Sequence, residues 1–254
     1  MPGPKEDTIH SLDLTLPSAE ANLALDEALL EICDAGGPEV LRTWESPHPF
    51  IVLGLSGNAE REVYREACRR DGIPILRRIS GGGTVLQGPG CFNYALILRK
   101  DRDAHLSTIE GTHAYILNRM EMALKIFHPE VHRAGLTDLA IYGHKISGNA
   151  HRRLHQALLF HGTILYDFDL TQMERYLRLP DRRPLYRGDR PHGLFVRNLK
   201  TDPESLKTGL QKVWEAAIPL SGWPEEGVNA LLTQRYSLSS WNLREETAAP
   251  VPAI

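Results

Sequence analysis

Two stretches of the chain combine charged side chains with small residues, and the first is Arg77-Arg78-Ile79-Ser80-Gly81-Gly82-Gly83-Thr84-Val85. Three consecutive glycines fold at a high entropic cost, so they are expected where backbone approaches another molecule or where φ is positive. Arg77 and Arg78 place fixed positive charge beside this backbone, and a guanidinium suits bidentate contact with carboxylate or phosphate. A glycine turn with two solvated arginines accounts for the same residues equally well.

The second stretch covers residues 138–150 and places Lys145 directly after the turn sequence Tyr142-Gly143-His144. Small residues follow it, among them Ser147 and Gly148, so its ammonium has room to reach a ligand. A compact point charge of this kind suits a carboxylate or an acyl phosphate. The alternative is an ordinary exposed lysine beside a hairpin, since lysine is mostly found at the surface.

Composition limits the classes of function. The chain has 254 residues, 42% of them apolar, which suits one large domain or two small ones. Its net charge of −3 argues against nucleic acid, which usually requires a basic face. Neither a membrane-spanning run nor a signal peptide is expected from the sequence. Cys33, Cys68 and Cys91 are far apart and form neither a disulfide framework nor a metal spacing, which favours a reducing cytoplasm.

Hydrophobic periodicity and turn residues predict the helices and strands that position these two stretches. Ser18 is expected to cap a first helix, and Gly72 to end a later one. Further helices are predicted over residues 59–70, 109–127, 170–177, 203–217 and 226–236. Strands are predicted over residues 40–44, 50–53, 92–98, 139–141, 145–147 and 157–166. Strands in the middle with helices at both ends indicate a mixed α/β domain.

Together the two stretches resemble the biotin and lipoate protein ligase family, most closely its lipoate–protein ligases. The patterns RRxSGGGxV and KxSGxA, in this order, are specific as a pair and weak singly. Three other segments fit the same family: residues 22–27, 161–165 and 196–199. The resemblance implies a mixed, largely antiparallel central sheet flanked by helices, like the class II synthetases. One catalytic domain is expected over residues 1–254, with tails at 1–8 and 247–254. Full-size lipoate ligases often carry an accessory domain after this one, whereas the sequence continues for only about fifty residues after Asn198, so no C-terminal accessory domain is expected.

The resemblance further implies an activity. Lipoate would be activated with ATP and Mg²⁺ to lipoyl-AMP, and the lipoyl group would pass to a lysine of an apo lipoyl-domain protein. Lys145 would be the catalytic residue, holding the carboxylate and the α-phosphate. Residues expected to bind lipoate or lipoyl-AMP are Arg78, Ser80, Gly81, Gly82, Gly83, Gln87, Ser147, Gly148, Ala150 and His161. No protein metal site is expected, because His144, His151, His155 and His161 fit no common spacing.

The sequence departs from the family at one position and leaves two other functions open. Gln87-Gly88 stands where the family usually has His-Asp, and Gln87 cannot titrate. One alternative is a lipoyl or octanoyl transferase that acts from lipoyl-AMP or an acyl carrier protein without its own activation. Relatives that take the acyl group from a carrier protein use a cysteine thiolate; Cys91 is the remaining candidate, but it is interpreted as a packed strand residue. The second is a non-catalytic lipoyl-domain or acyl-binding protein. A separate accessory-domain subunit could also be needed for activation.

Two further features have alternative interpretations. Arginines and prolines are dense over residues 180–191, which indicates a solvated loop, a lid over the nucleotide or a dock for an acidic acceptor domain. Asp167 and Asp169 follow the predicted strand at 157–166. They would either cap the end of that strand or orient Lys145.

Overall fold

The structure is a computed structural model that describes residues 8–244. Eight strands form one sheet in the order β11-β1-β2-β6-β10-β9-β8-β7, and three form a second in the order β4-β3-β5. The strands are β1 (Ile9–Asp13), β2 (Glu39–Trp44), β3 (Phe50–Leu53), β4 (Ile75–Arg77), β5 (Val85–Gln87), β6 (Cys91–Arg99), β7 (His132–Ala134), β8 (Asp138–Ile141), β9 (His144–Arg153), β10 (Ala157–Leu165) and β11 (Ile218–Pro219).

Helices flank this sheet on both sides and connect its strands. They are α1 (Ala19–Asp34), α2 (Ala59–Glu62), α3 (Arg65–Asp71), α4 (Ile109–Lys125), α5 (Thr171–Tyr176), α6 (His192–Phe195), α7 (Pro203–Trp214), α8 (Glu225–Leu231) and α9 (Ser239–Asn242). Single turns of other helix types cover Ala104–Ser107, Leu185–Arg187 and Leu232–Tyr236. Among residues 8–244, no helix has both the length and the apolar character to cross a membrane.

The larger sheet is mixed and largely antiparallel, as predicted. Strand β1 runs parallel to both β2 and β11. The other five neighbouring pairs are antiparallel, from β2–β6 through β8–β7. Each face of the sheet is buried. On β10, Leu158 and Phe160 join the core beneath α4 and α7, whereas Leu159 joins the core beneath α1 and α8. Successive residues of a strand face opposite sides, so the central strands β6 and β10 consist largely of apolar residues.

Several predicted elements are confirmed with small changes at their ends. The Ser18 hydroxyl accepts a hydrogen bond from Ala21 N at the start of α1, and Gly72 ends α3 with φ +67°. The helix predicted over residues 59–70 is two helices, because Val63 is extended and pairs with Leu177. The sequence did not predict the short strands β1, β4, β5, β7 and β11, whose few residues carry little periodic signal. The tails predicted at 1–8 and 247–254 lie outside the described residues, except Thr8.

Candidate active site

A cavity of about 820 Å³ lies between the glycine stretch, strands β9 and β10, and the loop before α6. Its walls include the apolar side chains of Trp44, Val52 and Leu86. Nine of the residues that the sequence singled out line it: Arg78, Gly82, Gly83, Gln87, Lys145, Ser147, Gly148, Ala150 and His161. Ser80 is fully buried behind the loop. Gly81 is exposed beside the cavity, with open space around its α-carbon. The fold therefore brings the two sequence stretches to one place.

Hydrogen bonds from the Arg78 side chain fix the backbone of the glycine loop, residues 80–84. This side chain is buried, and its Nη2 donates to the carbonyls of Gly81 at 2.6 Å and Gly83 at 2.9 Å. Its Nε donates to Ser80 Oγ at 2.9 Å. Burial lowers the pKa of Arg78 to about 10, so the guanidinium still carries its charge at neutral pH. Arg78 thus holds the loop open beside the cavity.

A positive φ explains one of the three consecutive glycines, and close backbone approach explains a fourth glycine outside the stretch. Gly82 has φ +89°, a conformation that side chains disfavour. A Cβ added to Gly54 would lie 2.1 Å from Gly82 O, so Gly54 must lack a side chain for the loop to pass. Gly81 and Gly83 have open space around their α-carbons, which leaves their backbone accessible to a ligand.

A chain of hydrogen bonds from Ser80 through His161 to Asp26 connects the glycine loop to the core. Ser80 Oγ and His161 Nε2 are 2.6 Å apart, and His161 Nδ1 lies 3.4 Å from Asp26 Oδ2. Arg42 pairs with the other oxygen of Asp26. Because Arg78 Nε already donates to Ser80, the serine hydroxyl can donate to His161 Nε2, which leaves the ring proton on Nδ1 facing Asp26. Ser80 and His161 therefore position the loop.

Arg77 does not line the cavity, contrary to the prediction that both arginines face a ligand, and has a structural role instead. Its side chain is buried, and its Nη1 donates to three carbonyls of the preceding turn, Gly54, Leu55 and Gly57. Its backbone N–H donates to Asn242 Oδ1 at 3.0 Å. The guanidinium is occupied in holding residues 54–57 against the C-terminal part of the fold.

Lys145 lies early in β9, and its Nζ is 2.8 Å from Asp138 Oδ1 at the start of β8. The side chain of Lys145 is 27% exposed, so its ammonium is held but still accessible. A Cβ added to Gly148 would lie 2.6 Å from this Nζ, so the small residue predicted to give the lysine room does so. The other oxygen, Asp138 Oδ2, accepts a hydrogen bond from Tyr186 OH at 2.8 Å.

The two aspartates considered as partners of Lys145 are engaged elsewhere. Asp167 pairs with Lys200, and Asp169 accepts from the backbone and hydroxyl of Thr171 at the start of α5. The sequence alone did not indicate Asp138 as the partner of Lys145, although Asp138 is the first residue of the second stretch. The signal that could have found it is the hairpin turn at 142–143, which brings the start of β8 back beside β9.

The remaining predicted residues have side-chain partners within the fold. Gln87 Nε2 donates to Thr163 Oγ1 at 3.0 Å, and its buried Oε1 has no partner among the described residues. Ser147 Oγ donates to Asn149 Oδ1 at 3.3 Å. A Cβ added to Gly82 would lie 3.6 Å from Ala150 Cβ, so Ala150 faces the loop directly.

The three cysteines are free and buried. Burial raises the pKa of the Cys91 thiol far above its ordinary value, and it raises the pKa of Cys68 to about 11. Because the thiolate is the nucleophile, such thiols are chemically inert at neutral pH. This agrees with the interpretation of Cys91 as a packed strand residue.

The basic segment, residues 178–191, borders the cavity through Arg182, Arg183 and Arg187. Arg190 Nη1 donates to Gly143 O at 3.0 Å, and the Arg187 guanidinium lies 4.7 Å from the centre of the Phe195 ring. Some of these arginines thus fix the segment. Within residues 8–244, no group of three or more His, Cys, Asp or Glu side chains is arranged to hold a metal ion.

Comparison with known proteins gives the chain a family context. Residues 18–206 match the family model described as the lipoyl protein ligase A/B catalytic domain. A candidate lipoate-protein ligase A of Aeropyrum pernix is 33% identical over 81% of this chain and 74% of its own length. The lipoate-protein ligase A of Blochmanniella floridana is 32% identical over 65% of this chain, which spans only 47% of that relative.

A solved structure has the same fold. It is described as a bi-partite lipoate protein ligase and its E2 lipoyl domain from Thermoplasma acidophilum, and it superimposes with a TM-score of 0.80 at 22% identity. The match covers 96% of this chain and 99% of that one. The predicted fold class is therefore confirmed.

Proposed function

Because the chain belongs to the lipoyl protein ligase A/B catalytic-domain family, we propose that it activates lipoate with ATP and transfers the lipoyl group to a lysine of a lipoyl domain. One observation carries the proposal: the Lys145 ammonium and the open backbone of the glycine loop line the same cavity. Its volume of about 820 Å³ lies within the range of small-molecule sites. Its apolar wall suits an acyl chain, and its charged end suits a carboxylate.

The first step would form the adenylate. A lipoate carboxylate oxygen attacks the α-phosphorus of ATP, and pyrophosphate leaves with the electron pair of the broken bond. The Lys145 ammonium has three N–H donors, of which one faces Asp138, so two can face the carboxylate and the α-phosphate. Charge held in place before the reaction stabilises the transition state without reorganisation. The glycine backbone would lie along the reacting groups.

The second step would transfer the acyl group. The neutral amine of the acceptor lysine attacks the lipoyl carbonyl, AMP leaves with its oxygen, and the amine loses a proton. Lys145 would stabilise charge developing on the carbonyl and phosphate oxygens. The remaining residues act by holding the two reactants in line, which is the larger part of catalysis in such reactions.

Mg²⁺ would accompany the nucleotide phosphates. The carboxylate nearest to Lys145, Asp138, is occupied by the lysine and by Tyr186. The described residues contain no converging set of three ligands. Mg²⁺ characteristically keeps several waters and binds substrate phosphates, which agrees with this arrangement.

The buried cysteines favour the ligase over a transferase with a cysteine nucleophile. Cys91, the one candidate from the sequence, is fully buried in β6 and has a raised pKa. A thiol in this state cannot take an acyl group from a carrier without local opening of the strand. The intact Lys145 site argues in the same way against a non-catalytic binding protein.

The proposed reaction needs an acceptor protein, and a solved relative indicates which kind. A lipoyl domain accompanies the solved relative from Thermoplasma acidophilum, and that ligase is bi-partite. We propose a lipoyl-domain acceptor here too, with a separate accessory subunit where activation requires one. The single domain over residues 1–254 and the cytoplasmic setting remain predictions.

Replacing Lys145 tests the role of the site. Lys145→Met keeps the length of the side chain and removes the charge, so adenylate formation should fall by at least about 100-fold, the usual effect of losing one transition-state donor. Release of pyrophosphate from ATP in the presence of lipoate measures this step. Lys200→Met, which removes an exposed lysine paired with Asp167, is the matched control and should retain full activity. Full activity of Lys145→Met would remove the lysine from this role.

A further inference from the structure

The carboxylate of Asp138 joins two parts of the molecule that are otherwise separate in the chain. It is 8% exposed, and each of its oxygens has its own donor. Lys145 Nζ lies 2.8 Å from Oδ1, and Tyr186 OH lies 2.8 Å from Oδ2. Lys145 belongs to β9, whereas Tyr186 belongs to the basic segment, residues 178–191. The carboxylate is therefore a bridge between the proposed catalytic lysine and this segment.

Packing directs the Tyr186 hydroxyl at this carboxylate. Tyr186 packs against Phe195 with ring centres 5.1 Å apart, which leaves its hydroxyl facing β8. Burial, and then the charge of Asp138, raises the pKa of Tyr186 above its ordinary value, so the phenol stays protonated and donates. Only the ammonium of Lys145 compensates the aspartate charge among these groups. Loss of that ammonium would leave a buried carboxylate with a phenol as its remaining donor.

The Tyr186 hydroxyl connects the basic segment to the β8–β9 hairpin by a hydrogen bond. Another connection is the bond from Arg190 to the carbonyl of Gly143. Arg182, in the same segment, is exposed, and Leu185 is fully exposed. Both also line the cavity, so the position of the segment determines the shape of its mouth.

We infer that Asp138 is a positioning residue that couples Lys145 to the basic segment, so that a change at the lysine alters the segment and a change at Tyr186 alters the lysine. The consequence for the reaction rests on the proposed function. An anionic ligand that draws the ammonium toward itself would loosen the Asp138 bridge. Binding at the charged end of the cavity would then shift the basic segment at the mouth of the cavity, where the acceptor lysine has to enter.

Limited proteolysis tests the coupling without any need for catalysis. Trypsin can cut the basic segment after the exposed Arg182, and the rate of this cut reports how firmly the segment is held. Lys145→Met and Tyr186→Phe should each raise the rate by about threefold or more, an effect typical of residues within one hydrogen-bond network. The double variant should be cut no faster than the faster single variant. Lys200→Met and Tyr142→Phe, at exposed positions away from the bridge, should behave as the wild type.

Activity provides the second readout. Asp138→Asn should lower kcat about tenfold and Tyr186→Phe about threefold, and combining them should be no worse than Asp138→Asn alone. KM for lipoate should change less than kcat in each case, which a general loss of structure would not produce. An unchanged cleavage rate in Lys145→Met, or effects of the two substitutions that multiply, would overturn the coupling. A wild-type protein that modifies no lipoyl domain would refute the proposed function, while the proteolysis result would still stand.

Discussion

Adding one methyl group at Gly148 should displace the side chain of the proposed catalytic lysine, because the added carbon would clash with side-chain atoms of Lys145 and not with backbone. A Cβ at this position would lie 2.6 Å from Lys145 Nζ and 2.7 Å from Cε. Ordinary contacts begin at 3.4 Å, so the ammonium has to withdraw by about 0.8 Å, the difference between 2.6 and 3.4 Å. The clash involves the far end of a flexible side chain, which can move. The hydrogen bond to Asp138 would be lost or lengthened as a result.

The expected effect on the rate follows from this distance. A displacement of about 1 Å at a reacting group can cost about 100-fold, so Gly148→Ala should lower the rate of lipoyl transfer by about 10- to 100-fold. Stability should change little, because a Gly-to-Ala change at a compatible position gains about 0.4–1 kcal/mol from the unfolded state. Losing the partly exposed Lys145–Asp138 ion pair lowers the free energy of unfolding by about the same amount, so the two effects cancel.

The assay compares the rate of lipoyl transfer with the melting temperature in two alanine variants. Gly227→Ala is the control, since its added Cβ would lie 3.6 Å from Ala28 Cβ, an ordinary contact. It lies within α8, where alanine is favoured over glycine by about 0.8–1 kcal/mol, so it should melt higher and keep full activity. Full activity in Gly148→Ala with a normal melting temperature would refute the placement of the lysine as the group that sets the rate.

Three other predictions concern the cysteine, the C-terminal contacts and pH. Cys91→Ser should leave lipoyl transfer nearly unchanged, and a thioester found on Cys91 by mass spectrometry would contradict the ligase assignment. Asn242→Ala should destabilise the fold by about 2 kcal/mol in denaturant unfolding, because it leaves the buried Arg77 N–H and Tyr236 C=O without partners. Burial lowers the pKa of His192 below its ordinary value of 6.5, so the unfolded chain binds the proton more readily and stability falls as pH drops through about 6.5. His192→Gln should therefore lose less melting temperature between pH 7.5 and 5.5, and an equal loss would contradict this.

The sequence predicted the long elements and the residues with unusual backbone needs. Periodicity indicated α1 and α4, and the apolar runs indicated β6 and β10, because each buries a continuous face. The glycines after Arg77 and Arg78, and the small residues after Lys145, indicated residues that line the cavity, because bare backbone and charge suit a ligand. The resemblance to the ligase family predicted that both stretches contribute to one site.

Long-range pairing could not be predicted from the same patterns. Asp26, which supports His161, lies in α1, and nothing about that helix indicates which strand residue it faces. Two of the partners of Arg77, Trp241 and Asn242, are 164 and 165 positions away in α9. An arginine next to glycines looks the same in sequence whether it faces a ligand or bonds to carbonyls. The split of the predicted helix at Val63 likewise depends on a distant partner, Leu177.

The intact mass of an apo lipoyl domain tests the central claim most directly. The domain is incubated with this protein, lipoate, Mg²⁺ and ATP, beside a second reaction that receives preformed lipoyl-AMP. The account predicts one added lipoyl group in both reactions and none in either when Lys145→Met replaces the wild type. Modification only with lipoyl-AMP would assign activation to a second subunit. An unmodified domain in both reactions would contradict the proposed function.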